Sequence, residues 1–192
     1  MEYRFVDATE PYPWPYDGLL SPNRLALVAA GAQEGLAEQC VDHKPVTAAI
    51  LDTAKAVRAA EGLVILVRHI VPSARWYDAQ RIGLALDHDE NDLVVDAAGI
   101  DGFYGSRLDL ELRSRGINQL AFVGFGLETA VHSTLRSAND RGYECITLSD
   151  ASAPLDQSCG ERALHSTTMS GGIFGAIGTS SALRDALARI RD

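Results

Sequence analysis

The sequence predicts an α/β domain with a mainly parallel sheet, and three observations carry that expectation. The first is a series of short apolar runs: LALVAA (25–30), LVILV (63–67), LVV (93–95), LAFVG (120–124) and YECITL (143–148). They lack the alternation of a half-exposed strand and read as strands buried on both faces. The second is the helical spacing between the runs, which makes strand and helix alternate along the chain. The third is the absence of any internal repeat, linker or change of composition, so the alternation belongs to one unit.

Taken in order, residues 1–22 come first, with Pro11, Tyr12, Pro13, Trp14, Pro15 and Tyr16 in succession. Proline fixes φ and removes an amide donor, which favours an extended arm over helix or sheet. Such an arm must pack on its own domain or on a neighbouring subunit, and Tyr12, Trp14 and Tyr16 are its expected anchors. Residues 23–192 are read as the single domain. Within 44–60, Ile50, Leu51, Ala54 and Val57 recur at three- and four-residue steps and predict an amphipathic helix. In 106–115, Leu108 and Leu112 do the same, with Gly116 as the C-cap glycine.

Composition excludes several classes of function. Hydrophobic residues make up 46% and charged residues 22% of the 192 residues. That describes an ordinary globule able to bury about 70% of its unfolded surface. A net charge of −9, with Lys44 and Lys55 the only lysines, argues against nucleic acid and anionic membrane as partners. No segment reaches the roughly 18 consecutive apolar residues of a spanning helix, and the first residues do not resemble a leader. The expected location is cytoplasmic. Cys40, Cys145 and Cys159 are odd in number and lack metal or redox spacing, which fits a reducing compartment. Cys145 reads as a buried strand residue and Cys159 as a polar-loop residue.

In open α/β sheets, ligands bind beyond the carboxyl ends of the strands. The positions to inspect are therefore Gly31, His69, Ala97 and the 124–131 turn. Four ordered segments there resemble the isochorismatase-like cysteine hydrolases, closest to their biuret hydrolase branch. PYPWPYDG followed by RLALVAAGAQ resembles the family's arm and first strand, where Ile-Asp-Met-Gln usually stands in place of Ala30, Gly31, Ala32 and Gln33. DLVVDAAGIDGFYGSRLDLELRSRGI resembles the segment with a lysine six residues before a phenylalanine; that phenylalanine is Phe103, and Ala97 stands six back. AFVGFGLETAVHSTLRSANDRGYECITLSDA resembles the strand and nucleophile turn, with Ala130 in place of cysteine. TMSGGIFGAI (168–177) is similar to the biuret hydrolase branch in particular.

The resemblance implies a three-layer α/β/α sandwich and cysteine-dependent cleavage of amide C–N bonds. It also implies that the triad is gone at Gly31, Ala97 and Ala130. A methyl group or a hydrogen cannot attack a carbonyl, accept a proton or carry charge. Losing a nucleophile alone lowers a hydrolase by about 10⁶-fold. Backbone amides near Leu127 to Ala130 survive any substitution, so an oxyanion-type pocket is expected to persist, lined by Gln33, Phe103, Leu127, Glu128 and Trp76. The stretch from RHIVPSARWYDAQRIG to ALDHDENDLVV is short for a lid and is expected to leave water in the cleft. No cofactor is expected. No metal is expected either, since His69 alone is near the loop where some family members hold one and His88 lies in the acidic DHDE stretch.

Other residues carry two readings each. Cys40 is a relocated nucleophile or a structural thiol. His132, two residues past Ala130, is a substitute base or a structural histidine lying on its helix. Glu128 opposes an anionic intermediate, or it is a solvent-facing acid favourable at a helix start. Arg136, Asn139, Asp140, Arg141 and Gly142 read as a helix ending. Gly124 and Gly126 are an incomplete dinucleotide fingerprint. Trp76 and Tyr77 line a residual pocket or an interface.

The leading expectation is a catalytically degenerate member of this family that acts as a structural or regulatory subunit. It would form a homo-oligomer, or a hetero-oligomer with an active paralogous hydrolase. The alternatives are a binder of a small neutral amide or ureide, and a divergent C–N hydrolase with a relocated nucleophile.

Overall fold

The computed structural model describes residues 3–71, 75 and 77–191. Six strands form one parallel sheet: β1 (Leu25–Ala30), β2 (Leu63–His69), β3 (Leu93–Ala97), β4 (Gln119–Phe125), β5 (Glu144–Ala153) and β6 (Ala176–Gly178). Their order is β3-β2-β1-β4-β5-β6. The connections run outward from β1 in one direction and from β4 in the other, so the strand order reverses between these two. Beyond their carboxyl ends lies the crevice where open α/β sheets take ligands.

The apolar runs become strands because both of their faces are covered. Leu25, Leu27 and Ala29 enter one core and Ala26, Val28 and Ala30 the other, the period of two that a strand imposes. The first core is closed by α2 (His43–Ala59) and α6 (Ser180–Arg191), through residues such as Ile50, Val57, Leu183 and Leu187. The second is closed by α3 (Leu108–Ser114), α4 (His132–Asp140) and α5 (Gln157–Gly172), through Leu108, Leu112, Leu135 and Ala163. Helices on both faces make the three-layer sandwich. Gly116 and Gly142 end α3 and α4 with positive φ, and the amides of Ile117 and Tyr143 donate back to Leu112 and Ala138, as C-capping requires.

The sequence reading did not mark β6, α5, α6 or a one-turn helix α1 (Glu34–Ala37). β6 is three residues long and α1 four, too short to show a period.

The arm packs on its own chain. Val6, Trp14 and Leu20 are buried in the first core. Glu10 exchanges both backbone hydrogen bonds with Ile177, at 2.9 and 2.7 Å, and so covers the free edge of β6. Of the three expected anchors, Trp14 is fully buried and the hydroxyl of Tyr12 donates to Glu144 at 3.3 Å. Tyr16 is 78% exposed and touches Tyr12 edge-on; its ring is no anchor, though its backbone amide donates to Glu144 Oε1 at 3.1 Å. Among the described residues no helix is long and apolar enough to cross a membrane.

Candidate functional site

At the strand-order reversal the backbones of β1 and β4 come close together. Gly31 follows β1 with φ +70°, and a Cβ built there would lie 2.3 Å from the Phe125 carbonyl oxygen and 2.7 Å from Leu36 Cδ2. The backbones of β1 and β4 approach so closely that Gly124 also has no room: its Cβ would meet the Ala30 oxygen at 2.0 Å. Gly124 and Gly126 therefore serve close packing and a left-handed turn rather than phosphate binding. Leu36, on α1, is fully buried and reaches Gly31 and Gly126 alike. It fills the space above the reversal point.

Ala97 and Ala130 are also enclosed, at 1% and 0% exposure. They do not face a common cavity: Ala97 belongs to the core of α3 and α4, and Ala130 to the core of α2 and α6. Ala130 lies in a π-helical turn, Leu127–Val131. The Gly126 carbonyl there accepts from the amides of Thr129 and Val131 at 3.0 and 3.2 Å.

The expected pocket residues have separate tasks. Gln33 is fully buried; its Nε2 donates to the His69 carbonyl at 3.1 Å and its Oε1 accepts from the His69 amide at 3.3 Å. This clasp joins the ends of β1 and β2, and the Tyr77 hydroxyl donates to the same carbonyl. Phe103 stacks on Tyr143 at 5.9 Å and beneath the Arg141 guanidinium, within the helical layer. Glu128 matches neither of its two readings: its carboxylate accepts from the amides of Leu155 and Asp156 at 3.1 and 2.8 Å, pinning the loop after β5. Leu127 lines a cleft that lies toward β5. Trp76 lies outside the described residues.

In the described part of the loop after β2, Gly83, Arg81 and Ala85 bond through their backbones to Glu34, Gly35 and Ala32, and Arg81 pairs with Glu34 and Glu38, which ties this stretch to α1.

His69 is fully buried beside Ala97, its partner in the β2–β3 register. Its Nδ1 bonds the Gly99 carbonyl at 2.8 Å, while Nε2 has no partner. Burial holds the imidazole below its ordinary pKa, against the opposing pull of the Gly99 carbonyl and Asp101; the neutral form is the one that fits. Burial likewise lowers His132, assisted by Arg136, and its ring packs edge-on against Phe174 of the 168–177 segment. That is the structural role read for it.

Cys40 is buried; its Sγ accepts from the Gly126 amide at 3.2 Å and donates to the Leu36 carbonyl at 3.4 Å. Burial pushes the thiol up to about 12 despite the Gly126 hydrogen bond. That environment disfavours the thiolate form that a nucleophile needs. Cys145 is buried on β5 as expected. Cys159 is not a loop residue: it stands in the first turn of α5, with its amide on the capping carboxylate of Asp156 at 2.9 Å. Among the described residues no group of three or more His, Cys, Asp or Glu could hold a metal ion.

A parallel sheet in this order with helices on both faces defines a three-layer α/β/α scaffold. The model of the isochorismatase domain matches residues 25–179, and the chain belongs to that family. Ureidoacrylate amidohydrolase RutB of Methylobacterium radiotolerans is 33% identical over 105 residues, 54% of this chain and 39% of that protein. The match thus spans well under half the length of that relative. A cysteine hydrolase from Pseudomonas syringae pv. phaseolicola superposes with a TM-score of 0.79 at 21% identity, covering 88% of this chain and 95% of the other. The nicotinamidase of Staphylococcus aureus superposes with a TM-score of 0.69 at 19% identity, covering 82% and 99%. These two likenesses bear on fold.

Proposed function

We propose that this protein is a catalytically degenerate member of the isochorismatase family that serves as a structural or regulatory subunit beside an active cysteine hydrolase. The observation that carries the reading is Gly31. Its left-handed backbone and the 2.3 Å approach of the Phe125 oxygen leave no room for the side chain of a general base. Buried Leu36 packs against Gly31 from α1, which supports the same reading.

Two further features support a role in assembly. The arm is committed to its own domain and leaves other surfaces for contact. Ile100, Tyr104 and Leu110 are exposed at 38, 66 and 69% on and before α3, apolar area that the chain's own cores do not use. The divergent-hydrolase reading loses support from the burial of Cys40, and Cys40→Ala is expected to change no turnover.

Affinity purification of the tagged chain from its native host, followed by mass spectrometry, tests the proposal. Recovery of a homologous hydrolase at a fixed ratio, with its activity or assembly changed when this chain is absent, is the expected result. A chain recovered alone, and a hydrolase indifferent to it, would overturn the reading.

A further inference from the structure

His69 ends β2 with its side chain sealed inside the molecule. The Gly99 carbonyl can only accept, so the 2.8 Å bond from Nδ1 places the ring proton there and leaves Nε2 as a bare lone pair. No donor meets it. A fully buried acceptor without a partner is uncommon in a folded protein. A proton arriving at Nε2 would add an unmet N–H and an uncompensated charge.

Gly99 belongs to the turn after β3, residues 98–104, which is tied to α4. The Ala98 amide donates to the Tyr104 carbonyl at 2.9 Å, and the Gly102 amide donates to Thr134 Oγ1 at 2.9 Å. Within the turn, one oxygen of Asp101 accepts from the Phe103 amide at 2.8 Å and the other from the Ser137 hydroxyl at 2.7 Å. Burial holds the His69 ring neutral, while the Gly99 carbonyl and the Asp101 carboxylate pull the other way. The other charged or titratable neighbours are committed elsewhere. Arg68 and Asp96, one residue back on β2 and β3, point to the opposite face of the sheet and pair with each other at 2.7 Å. Arg141 lies over the Phe103 ring and donates to the Ser137 carbonyl. His132 packs against Phe174, and the Tyr77 hydroxyl donates to the His69 carbonyl. Asp101 is the carboxylate available to a charge on the ring.

We infer that His69 and the turn after β3 form an acid-operated switch: one proton taken from solvent at Nε2 draws the Asp101 carboxylate away from the Ser137 hydroxyl and re-aims the turn. The new pair is neutral overall. Without that movement the buried imidazolium would stand unpaired, at a cost that removing one partner of a buried ion pair illustrates. Ser137 is not orphaned by the exchange, because Arg141 also donates to its hydroxyl oxygen. The turn displays Ile100 and Tyr104, exposed at 38 and 66%, so a buried proton is read out on the surface. Since burial opposes protonation, the switch turns below the ordinary imidazole value of about 6.5. The inference goes beyond the proposed subunit role and does not depend on it.

The test follows the full chain by NMR from about pH 7.5 to about pH 4.5. Ring carbon and nitrogen shifts report the proton on His69, and backbone amide shifts report the turn. The ring and the amides of Gly99, Gly102 and Phe103 are expected to move with one shared midpoint below about pH 6.5, while the amides of β1 and β4 stay in place. Ser137→Ala frees Asp101 from its competing donor and is expected to raise the midpoint by at least about half a pH unit, a threefold gain in proton affinity. Asp101→Asn is expected to lower it by as much and to uncouple the turn from the ring. A general loss of stability would move both variants the same way. A ring that stays neutral until the whole chain unfolds, turn amides that do not follow the ring, or a midpoint that is unchanged or moves alike in the two variants would each overturn the assignment. Failure of the subunit proposal would move none of these readouts.

Discussion

Gly31 shows how tightly one position can be confined: φ is +70° and the Phe125 carbonyl oxygen stands 2.3 Å from where a Cβ would be. Adding even a methyl group forces both an unfavourable backbone and a clash, so Gly31→Ala is expected to destabilise the fold by about 1–3 kcal/mol or more. Urea denaturation measures this, and a change near zero would mean that the approach of β4 is soft. His69 carries a second expectation. Its folded pKa is lowered, chiefly by burial, so the unfolded chain, which takes a proton near pH 6.5, binds more protons than the folded one below that pH. The stability linked to His69 is therefore complete above about pH 6.5 and is lost as pH falls toward the folded value. His69→Asn, which keeps a donor for the Gly99 carbonyl, is expected to flatten the fall in Tm between neutral and acid pH. Some slope remains, because His132 shifts in the same direction.

At the scale of elements, the arm and α1 do the closing. Trp14 is fully buried, and Glu10 hydrogen-bonds the edge of β6 through the backbone. Trp14→Ala removes a large buried ring and is expected to cost about 3–5 kcal/mol. Denaturant unfolding followed by far-UV circular dichroism checks it; a loss under about 1 kcal/mol would show the arm to be loosely docked. The apolar runs were legible as strands, and the helices over 44–60 and 106–115 agree within two residues with α2 and α3, because burial on a fixed face leaves a periodic mark. The closure by Leu36 was not legible. A leucine in a four-residue helix carries no period, and its contacts with Gly31 and Gly126 join residues far apart in the chain. The partners that the side chains of the site residues would find were not legible. Gln33 became a clasp and Glu128 a loop anchor because buried or half-buried polar groups must find partners wherever the backbone offers them.

For the whole molecule, strand order and layering are those of the isochorismatase fold, and the ends of β1, β3 and the turn after β4 carry Gly31, Ala97 and Ala130. On the proposed reading, placing three reactive groups there together, as Gly31→Asp, Ala97→Lys and Ala130→Cys, is expected to leave amide hydrolysis at background. Reacting groups must sit within about 0.5 Å of productive geometry, and the positive φ and close Phe125 carbonyl at Gly31 strain any side chain there. A single-turnover assay with an amide substrate tests this, and a burst of product from the triple variant would show that the site is merely unfurnished.

What the sequence by itself determined is the alternation of buried strands and amphipathic helices, the family resemblance carried by four ordered segments, and the absence of reactive groups at Gly31, Ala97 and Ala130. These are properties of residue type and short-range spacing, and a linear chain displays them directly. The tertiary structure alone decided that the arm packs on its own chain, that the Phe125 carbonyl and Leu36 crowd Gly31, and that Gln33 and Glu128 become backbone clasps. Each depends on residues remote in sequence being brought together, where excluded volume and charge act through space and leave no local pattern to read.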